Sequence, residues 1–405
     1  MNGERDGIGA ALAAYRAAAA REPLLAVHAD DAFERRAVLG EGGMGLVERV
    51  WDRRLGREAA LKRIRGELLD DEARERFRRE ARISARLQHP AIPAIYECGV
   101  TPGGDPYLLM RVIEGQELKE RSRAWHAEER GPAEVSRPLL EALARVAEAI
   151  AYAHSEGVIH RDLKPSNVML GPAGEVLVMD WGLAKAAGEA DPRRRAPSPE
   201  AGSPGAGEEL TQYGTVLGTP GYMAPEQAAG EGEVGAPADV FALGAILVEL
   251  LTGAPPIEGA TLLNKLNATL SGQAVRPRQR RPELPAELDS LADAALQTAP
   301  EDRPGAAAFG ADLRAWLEGR ELGAHRYSRL ERLRRWSRAH SLLLTGLSAL
   351  TLLSALAAGL LTWETVSAAR AEAALARASL QEEQASREAS AAAARRRAAE
   401  ESARA

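Results

Sequence analysis

Residues 158–182 read VIHRDLKPSNVMLGPAGEVLVMDWG, in which two apolar runs, Asn167 to Leu170 and Val176 to Met179, flank a Gly-Pro-Ala-Gly turn. Short apolar runs bounded by such a turn predict a hairpin. His160, Arg161, Asp162, Lys164 and Asn167 stand at its entry, and Asp180, Trp181 and Gly182 at its exit. A hairpin over 168–179 returns its two ends to one place, so Asn167 and Asp180 become neighbours and offer oxygen ligands suited to a hard cation such as Mg2+. Asp162 then lies beside them as a base, and Lys164 supplies positive charge. The segment 138–157 leads into this loop. It reads as a helix with Leu139, Leu143, Val146 and Ile150 on one face and closes at Gly157.

Working outward, residues 39–50, LGEGGMGLVERV, place glycines at 40, 42 and 45 in G-x-G-x-x-G spacing ahead of Val47. Glycines let backbone N–H groups approach phosphate closely, but the pattern alone is weak. Its strand-like flanks suggest a hairpin, which argues against a dinucleotide-binding strand-to-helix turn. Lys62 sits in the apolar run of REAALKRI (57–64), 17 residues after Gly45. A lysine there is costly unless it is paired. The candidate partner is Glu80 in ERFRREARISARLQHP (75–90), a helical segment with Phe77, Ala81 and Leu87 on or near one face.

The chain has 405 residues, 45% hydrophobic and 27% charged, with a net charge of −6. This allows a two-lobed domain with flanking segments, and nothing marks the chain as a nucleic-acid binder. A single cysteine, Cys98, precludes an internal disulfide framework and reads as a small core residue of a protein folded in a reducing cytosol. Residues 1–32 are an alanine-rich leader without a secretory h-region. Residues 186–209 are dominated by Ala, Gly, Pro, Ser and charge, a composition expected to be disordered.

Residues 341–363 contain ten leucines and no charge. As a helix they span about 34 Å, enough for a bilayer core of about 30 Å. Residues 326–338 carry six arginines and one glutamate, whereas the twenty residues after Trp363 carry two arginines and four glutamates. The charge asymmetry predicts a cytoplasmic N-terminal domain, a basic segment over 319–340, and an external tail over 364–405. The tail is helical by propensity, but Leu375 and Leu380 are its only leucines. It reads equally as a weak alanine coil that pairs two copies of the chain or as a solvated helix.

With these residues in order, the chain resembles the protein kinases, specifically the bacterial eukaryotic-like serine/threonine kinases, over about residues 33–318. The resemblance rests on Gly40, Gly42, Gly45 and Val47, on Lys62 in AALK, Glu80, HRDLKPSN and DWG, and then on GTPGYMAPE (218–226), DVFALG (239–244) and PEDRPG (300–305). It implies an α+β fold with a small β-rich lobe over about 33–113 and a mainly helical lobe over about 114–318. It also implies ATP and Mg2+ as cofactors, with Mn2+ as an alternative, and protein substrates modified on serine or threonine. The loop Leu39, Gly40, Glu41, Gly42, Gly43, Gly45 and Val47 would cover the phosphates. Lys62 would contact them and pair with Glu80, while Asp162 would accept the substrate proton. Lys164 would lie near the γ-phosphate, and Asn167 and Asp180 would hold the metal. Ala60 and Met110 would border the adenine, which the Arg111 carbonyl and Ile113 N–H would contact.

Glu226 and Arg303 resemble the family's buried ion pair, and Asp239 would hold the catalytic loop. Thr211 and Thr215 are candidate phosphorylation sites facing Arg161, and Thr219 would bond Asp162 and Lys164. Two departures stand out: Arg111 at a commonly acidic hinge position, and Trp181 in place of Phe, larger and with an N–H that needs a partner. The second motivates the alternative of a pseudokinase scaffold. Overall the sequence predicts a membrane-anchored kinase of the bacterial inner membrane.

Overall fold

The computed structural model describes residues 26–27, 32–42, 45–64, 71–101, 106–186, 218–230 and 234–402. Most of the leader, Gly43, Thr211, Thr215 and residues 187–209 lie outside them. The chain divides into a unit ending at His325 and a second beginning at Arg326.

The first unit opens with a six-stranded sheet. Its strands are β1 (Ala26–Val27), β2 (Phe33–Gly42), β3 (Gly45–Asp52), β4 (Arg57–Arg63), β5 (Ile95–Val100) and β6 (Pro106–Met110), in the order β1-β5-β6-β4-β3-β2. The sheet therefore begins ahead of residue 33, because Ala26 and Val27 pair in parallel with Gly99 and Val100. Between β4 and β5 lies helix α1 (Asp71–Arg86). Leu87 falls one residue past its end and is still buried.

Period-two alternation gives β4 two buried faces. Ala59 and Leu61 join Val50, Tyr107 and Leu109 on one side. Ala60 joins Phe77 and Ala81 of α1, with Leu108 and Met110, on the other. Lys62 alternates with Ala60 and so leaves the strand on the helix side. Cys98 is only half-buried at the margin of that second cluster.

The rest of the unit is mainly helical: β7 (Gln116–Glu117), α2 (Leu118–Ala127), α3 (Arg137–Ser155), β8 (Val158–Ile159), β9 (Val168–Leu170), β10 (Val176–Val178), β11 (Lys185–Ala186), α4 (Pro225–Ala229), α5 (Pro237–Thr252), α6 (Leu262–Leu270), α7 (Pro277–Arg280), α8 (Ala286–Ala295) and α9 (Ala306–Leu317). Helix α5 is buried along its whole circumference from Ala238 to Leu251, the mark of a central core helix. Leu139, Leu143, Val146 and Ile150 of α3 join the same core. Gly157, with φ +72°, closes α3 in the left-handed region, and its N–H donates to the His154 carbonyl at 3.0 Å. Packing continues past residue 318: Leu322 is buried, and the Asp312 carboxylate accepts the N–H groups of Gly323 and Ala324 at 2.7 and 2.8 Å.

The second unit holds α10 (Arg329–Ala339) and α11 (Ser341–Ser402), the latter a single helix of 62 residues. It is long and apolar enough over its first part to cross a membrane.

Candidate active site

The hairpin expected from the sequence forms, with Val168 opposite Val178 and Leu170 opposite Val176. The Met179 N–H donates to the Asn167 carbonyl at 2.7 Å, so the residues flanking the strands meet as the turn requires. The amide Nδ2 of buried Asn167 donates to the Asp162 carbonyl at 2.8 Å. That bond fixes the amide's orientation and leaves Oδ1 as its remaining ligand atom. The Asp180 carboxylate accepts no hydrogen bond among the described residues. One amide oxygen and one carboxylate at the end of a hairpin are a donor set that fits a hard divalent cation sharing its shell with phosphate and water.

Asp162 is held on both oxygens. The Thr219 hydroxyl donates to Oδ1 at 2.7 Å, Lys164 Nζ donates to Oδ2 at 2.7 Å, and Lys164 also reaches the Thr219 oxygen at 2.8 Å. On the opposite wall Lys62 Nζ lies 2.5 Å from Glu80 Oε1. Burial alone would lower the Lys62 pKa. The charges of Glu80 and Asp180 outweigh it and hold the ammonium above the ordinary lysine value.

Two backbone positions bear this geometry. Arg161 and Asp180 are the only non-glycine residues with positive φ among the described residues, at +68° and +60°. Such conformations cost about 1–3 kcal/mol each and persist only when the surroundings impose them. At Arg161 both backbone groups are tied: its N–H donates to Asp239 Oδ1 at 2.8 Å and its carbonyl accepts from Gln227 Nε2 at 2.8 Å. Its side chain is buried, with Nη2 3.4 Å from the Val234 carbonyl.

Buried Asp239 also accepts the His160 N–H and lies against His154 Nε2, both at 2.8 Å. Burial pushes its carboxyl up, but the His154 hydrogen bond, His160 and the backbone N–H outweigh that and hold it below 3.8. A carboxyl held down binds fewer protons folded than unfolded. Its stabilisation is therefore complete above about pH 4 and is lost as pH falls through the folded value. Stability is expected to fall more steeply below about pH 4 in the parent chain than in Asp239→Asn, by acid unfolding followed through tryptophan fluorescence. Equal slopes would remove Asp239 from this role.

Glycine is obligatory at position 45. It has φ +146°, and a Cβ there would lie 2.1 Å from the Arg63 carbonyl oxygen. Gly40 pairs with Val47, Glu41 with Leu46 and Gly42 with Gly45, while Leu39 is exposed on the same strand. The glycine stretch is thus an antiparallel hairpin. Val47, Ala60 and Met110 share one apolar cluster beneath it. The Arg111 N–H donates to the Ala94 carbonyl at 3.2 Å, whereas the Arg111 carbonyl and the Ile113 N–H make no backbone hydrogen bond among the described residues.

Several residues named in the sequence make bonds that the sequence did not foretell. His160 is fully buried; its Nε2 donates to the Met179 carbonyl at 3.0 Å and its Nδ1 accepts the Asp162 N–H at 3.3 Å, joining the loop to the end of the hairpin. Arg111 Nη2 pairs with Glu175 Oε1 at 2.5 Å, so the hinge side chain turns to the β9–β10 turn. Neither set of bonds had a local signal in the sequence. Trp181 is 2% exposed, its ring centroid lies 4.8 Å from that of His160, and its Nε1 donates to the Val178 carbonyl at 3.1 Å. The larger ring therefore finds both a buried place and the partner its N–H requires. Arg303 chelates Glu226 through Nη1 and Nη2 at 2.7 and 2.8 Å.

A family profile described as the protein kinase domain matches residues 33–312. The chain is 37% identical over 280 residues to the serine/threonine-protein kinase PknB of Mycobacterium tuberculosis, covering 68% of this chain and 41% of that protein. It is 35% identical over 297 residues to a probable serine/threonine-protein kinase of Streptomyces coelicolor, covering 72% of this chain and 41% of the relative. With the serine/threonine-protein kinase pkn3 of Myxococcus xanthus the identity is 35% over 292 residues, 70% of this chain and 49% of the relative. The chain thus spans less than half the length of these curated relatives.

Proposed function

We propose, on the premise that this chain belongs to the protein kinase family, that it transfers the γ-phosphate of ATP to serine and threonine hydroxyls of proteins. The observation that carries this reading is a Lys62–Glu80 pair that feels the charge of Asp180 at one end of the β9–β10 hairpin, with Asp162 held by Lys164 and Thr219 in the loop that enters it. Phosphoryl transfer asks a protein mainly for in-line placement and for neutralisation of spreading negative charge. Asp162 orients the attacking hydroxyl and takes its proton. Lys62, positioned by Glu80, binds the α- and β-phosphates, and Lys164 faces the γ-phosphate. Asn167 and Asp180 hold the divalent cation, which we take to be Mg2+. When bound, that ion would offset the negative charge that spreads over the phosphate oxygens. The Arg111 carbonyl and the Ile113 N–H, free of backbone partners among the described residues, bind the adenine edge.

Residues 341–363 form the membrane-spanning part of α11, with the catalytic unit on the cytoplasmic side of the bacterial inner membrane and the tail outside. The six arginines of 326–338 support that orientation. Thr211 and Thr215 are proposed as sites of self-phosphorylation, with Arg161 as the cation that receives the new charge.

The test is transfer of label from γ-labelled ATP to protein by the full chain in detergent, followed by phosphoamino-acid analysis. Label on serine or threonine that EDTA abolishes and Mg2+ restores is the expected result, with no restoration in Asp180→Asn. Label that resists EDTA, or none with either Mg2+ or Mn2+, overturns the proposal.

A further inference from the structure

The second unit begins with a helix that the proposed reaction does not use. Helix α10 starts on a reciprocal cap: the Glu331 N–H donates to Ser328 Oγ at 3.2 Å and the Ser328 N–H donates to Glu331 Oε2 at 2.7 Å. The helix is therefore fixed at its own N-terminus. His340 alone separates it from α11, and backbone bonds from the His340 N–H to the Trp336 carbonyl at 3.0 Å and from the Leu344 N–H to the His340 carbonyl at 2.9 Å run through the junction.

The faces of α10 are unlike. At roughly 100° per residue, Leu330, Leu333 and Trp336 fall on an arc of about 120°. They are 56, 60 and 51% exposed. Arg332, Arg335 and Glu331 fall outside that arc. A helix of this length would not leave two leucines and a tryptophan in water if nothing covered them.

Two observations name the cover. The first is continuity: the uncharged run starts at Ser341, so Trp336 lies within about 8 Å of it along the helix, which is headgroup depth in a bilayer. Tryptophan collects at that level. The second is charge: six arginines against one glutamate over 326–338 complement an anionic surface.

We infer that α10 is an interfacial helix, with its Leu330–Leu333–Trp336 edge buried at the headgroup boundary of an anionic bilayer and its arginines on headgroup phosphates. The inference rests on the reading of 341–363 as a membrane span.

The test keeps the two apart. The full chain, with Cys98 replaced by alanine, carries a single environment-sensitive fluorophore on a cysteine introduced at Leu333, Glu331 or Leu353. Each labelled protein is placed in nanodiscs of phosphatidylcholine alone or mixed with phosphatidylglycerol. The expected result is a blue-shifted probe at 333 that shallow doxyl lipids quench in the anionic discs, beside an aqueous probe at 331. Arg332→Gln with Arg335→Gln should lower the ratio of embedded to aqueous 333 probe by about 25-fold, at about fivefold per arginine near the surface. An aqueous 333 probe beside a 353 probe quenched by deep doxyl lipids overturns the inference and leaves the span intact. A 333 probe equally embedded in both lipids removes the anionic partner and overturns it as well. A 353 probe in water removes the span, and the inference with it.

Discussion

Asp162→Asn is expected to lower the rate of phosphate transfer by about 10²–10⁴-fold while leaving ATP affinity within a few-fold. The substitution keeps the shape of the side chain and removes its charge. In the native loop both carboxylate oxygens accept, one from Thr219 at 2.7 Å and one from Lys164 at 2.7 Å. An amide must turn its NH2 group to one of these donors. Facing Lys164 it would set donor against donor, so the amide settles toward the rotatable Thr219 hydroxyl. The loop then remains folded, because His160 and Asn167 anchor it through the backbone of Asp162 rather than its carboxylate. A loss in turnover without a loss in nucleotide binding is the signature of a group acting on the substrate hydroxyl. It is read from single-turnover transfer rates beside an ATP titration. A variant within tenfold of the parent would exclude Asp162 as the base.

The second large effect concerns stability. The Arg303 side chain is fully buried, and its guanidinium makes five hydrogen bonds: Nε to the Gln297 carbonyl at 2.7 Å, Nη1 to Glu226 and the Pro237 carbonyl at 2.7 and 3.0 Å, and Nη2 to Glu226 and the Thr298 carbonyl at 2.8 and 3.0 Å. Five is the full donor complement of the group. Phe241 adds a ring 5.1 Å from the guanidinium carbon. Arg303→Met keeps most of the volume but strands the Glu226 carboxylate and three carbonyls. The expected loss is about 3–5 kcal/mol. That is a large part of the roughly 5–15 kcal/mol of a typical domain and, for a domain of about 300 residues, lowers the melting temperature by about 5–8 °C. Adding Glu226→Gln to the methionine variant should recover part of the loss, since it removes the uncompensated charge. Thermal melts of the full chain in detergent measure both variants, and an unchanged melt in Arg303→Met would show that the pair contributes little.

The sequence was most legible where chemistry forces a local pattern. The hairpin between Asn167 and Asp180 follows from two apolar runs and a glycine-proline turn, and its paired strands follow that reading. Lys62 could be matched with Glu80 because a lysine in an apolar strand demands a partner and the next helix offers one. Trp181 raised a question of size and of its N–H, which the Val178 carbonyl answers at three residues' distance. The illegible parts join distant positions by geometry alone. Nothing near Arg111 points to Glu175, 64 residues away, and nothing near Arg303 points to the carbonyls of Gln297, Thr298 and Pro237. The strand at Ala26 and Val27 is too short to leave a periodic signal. Helix α10 is a different case: its Ser-Arg-Leu-Glu start is a capping signature open to inspection, hidden by the density of arginines that follows.

The left-handed backbone at Asp180 sets stability against chemistry at a single residue. Glycine would adopt φ +60° there without the steric penalty an aspartate carries. A population of variants screened only for resistance to heat would therefore drift toward glycine at 180 and lose the carboxylate that faces Lys62. Retaining aspartate at such a position is what selection for turnover, rather than for robustness, leaves behind in a chain.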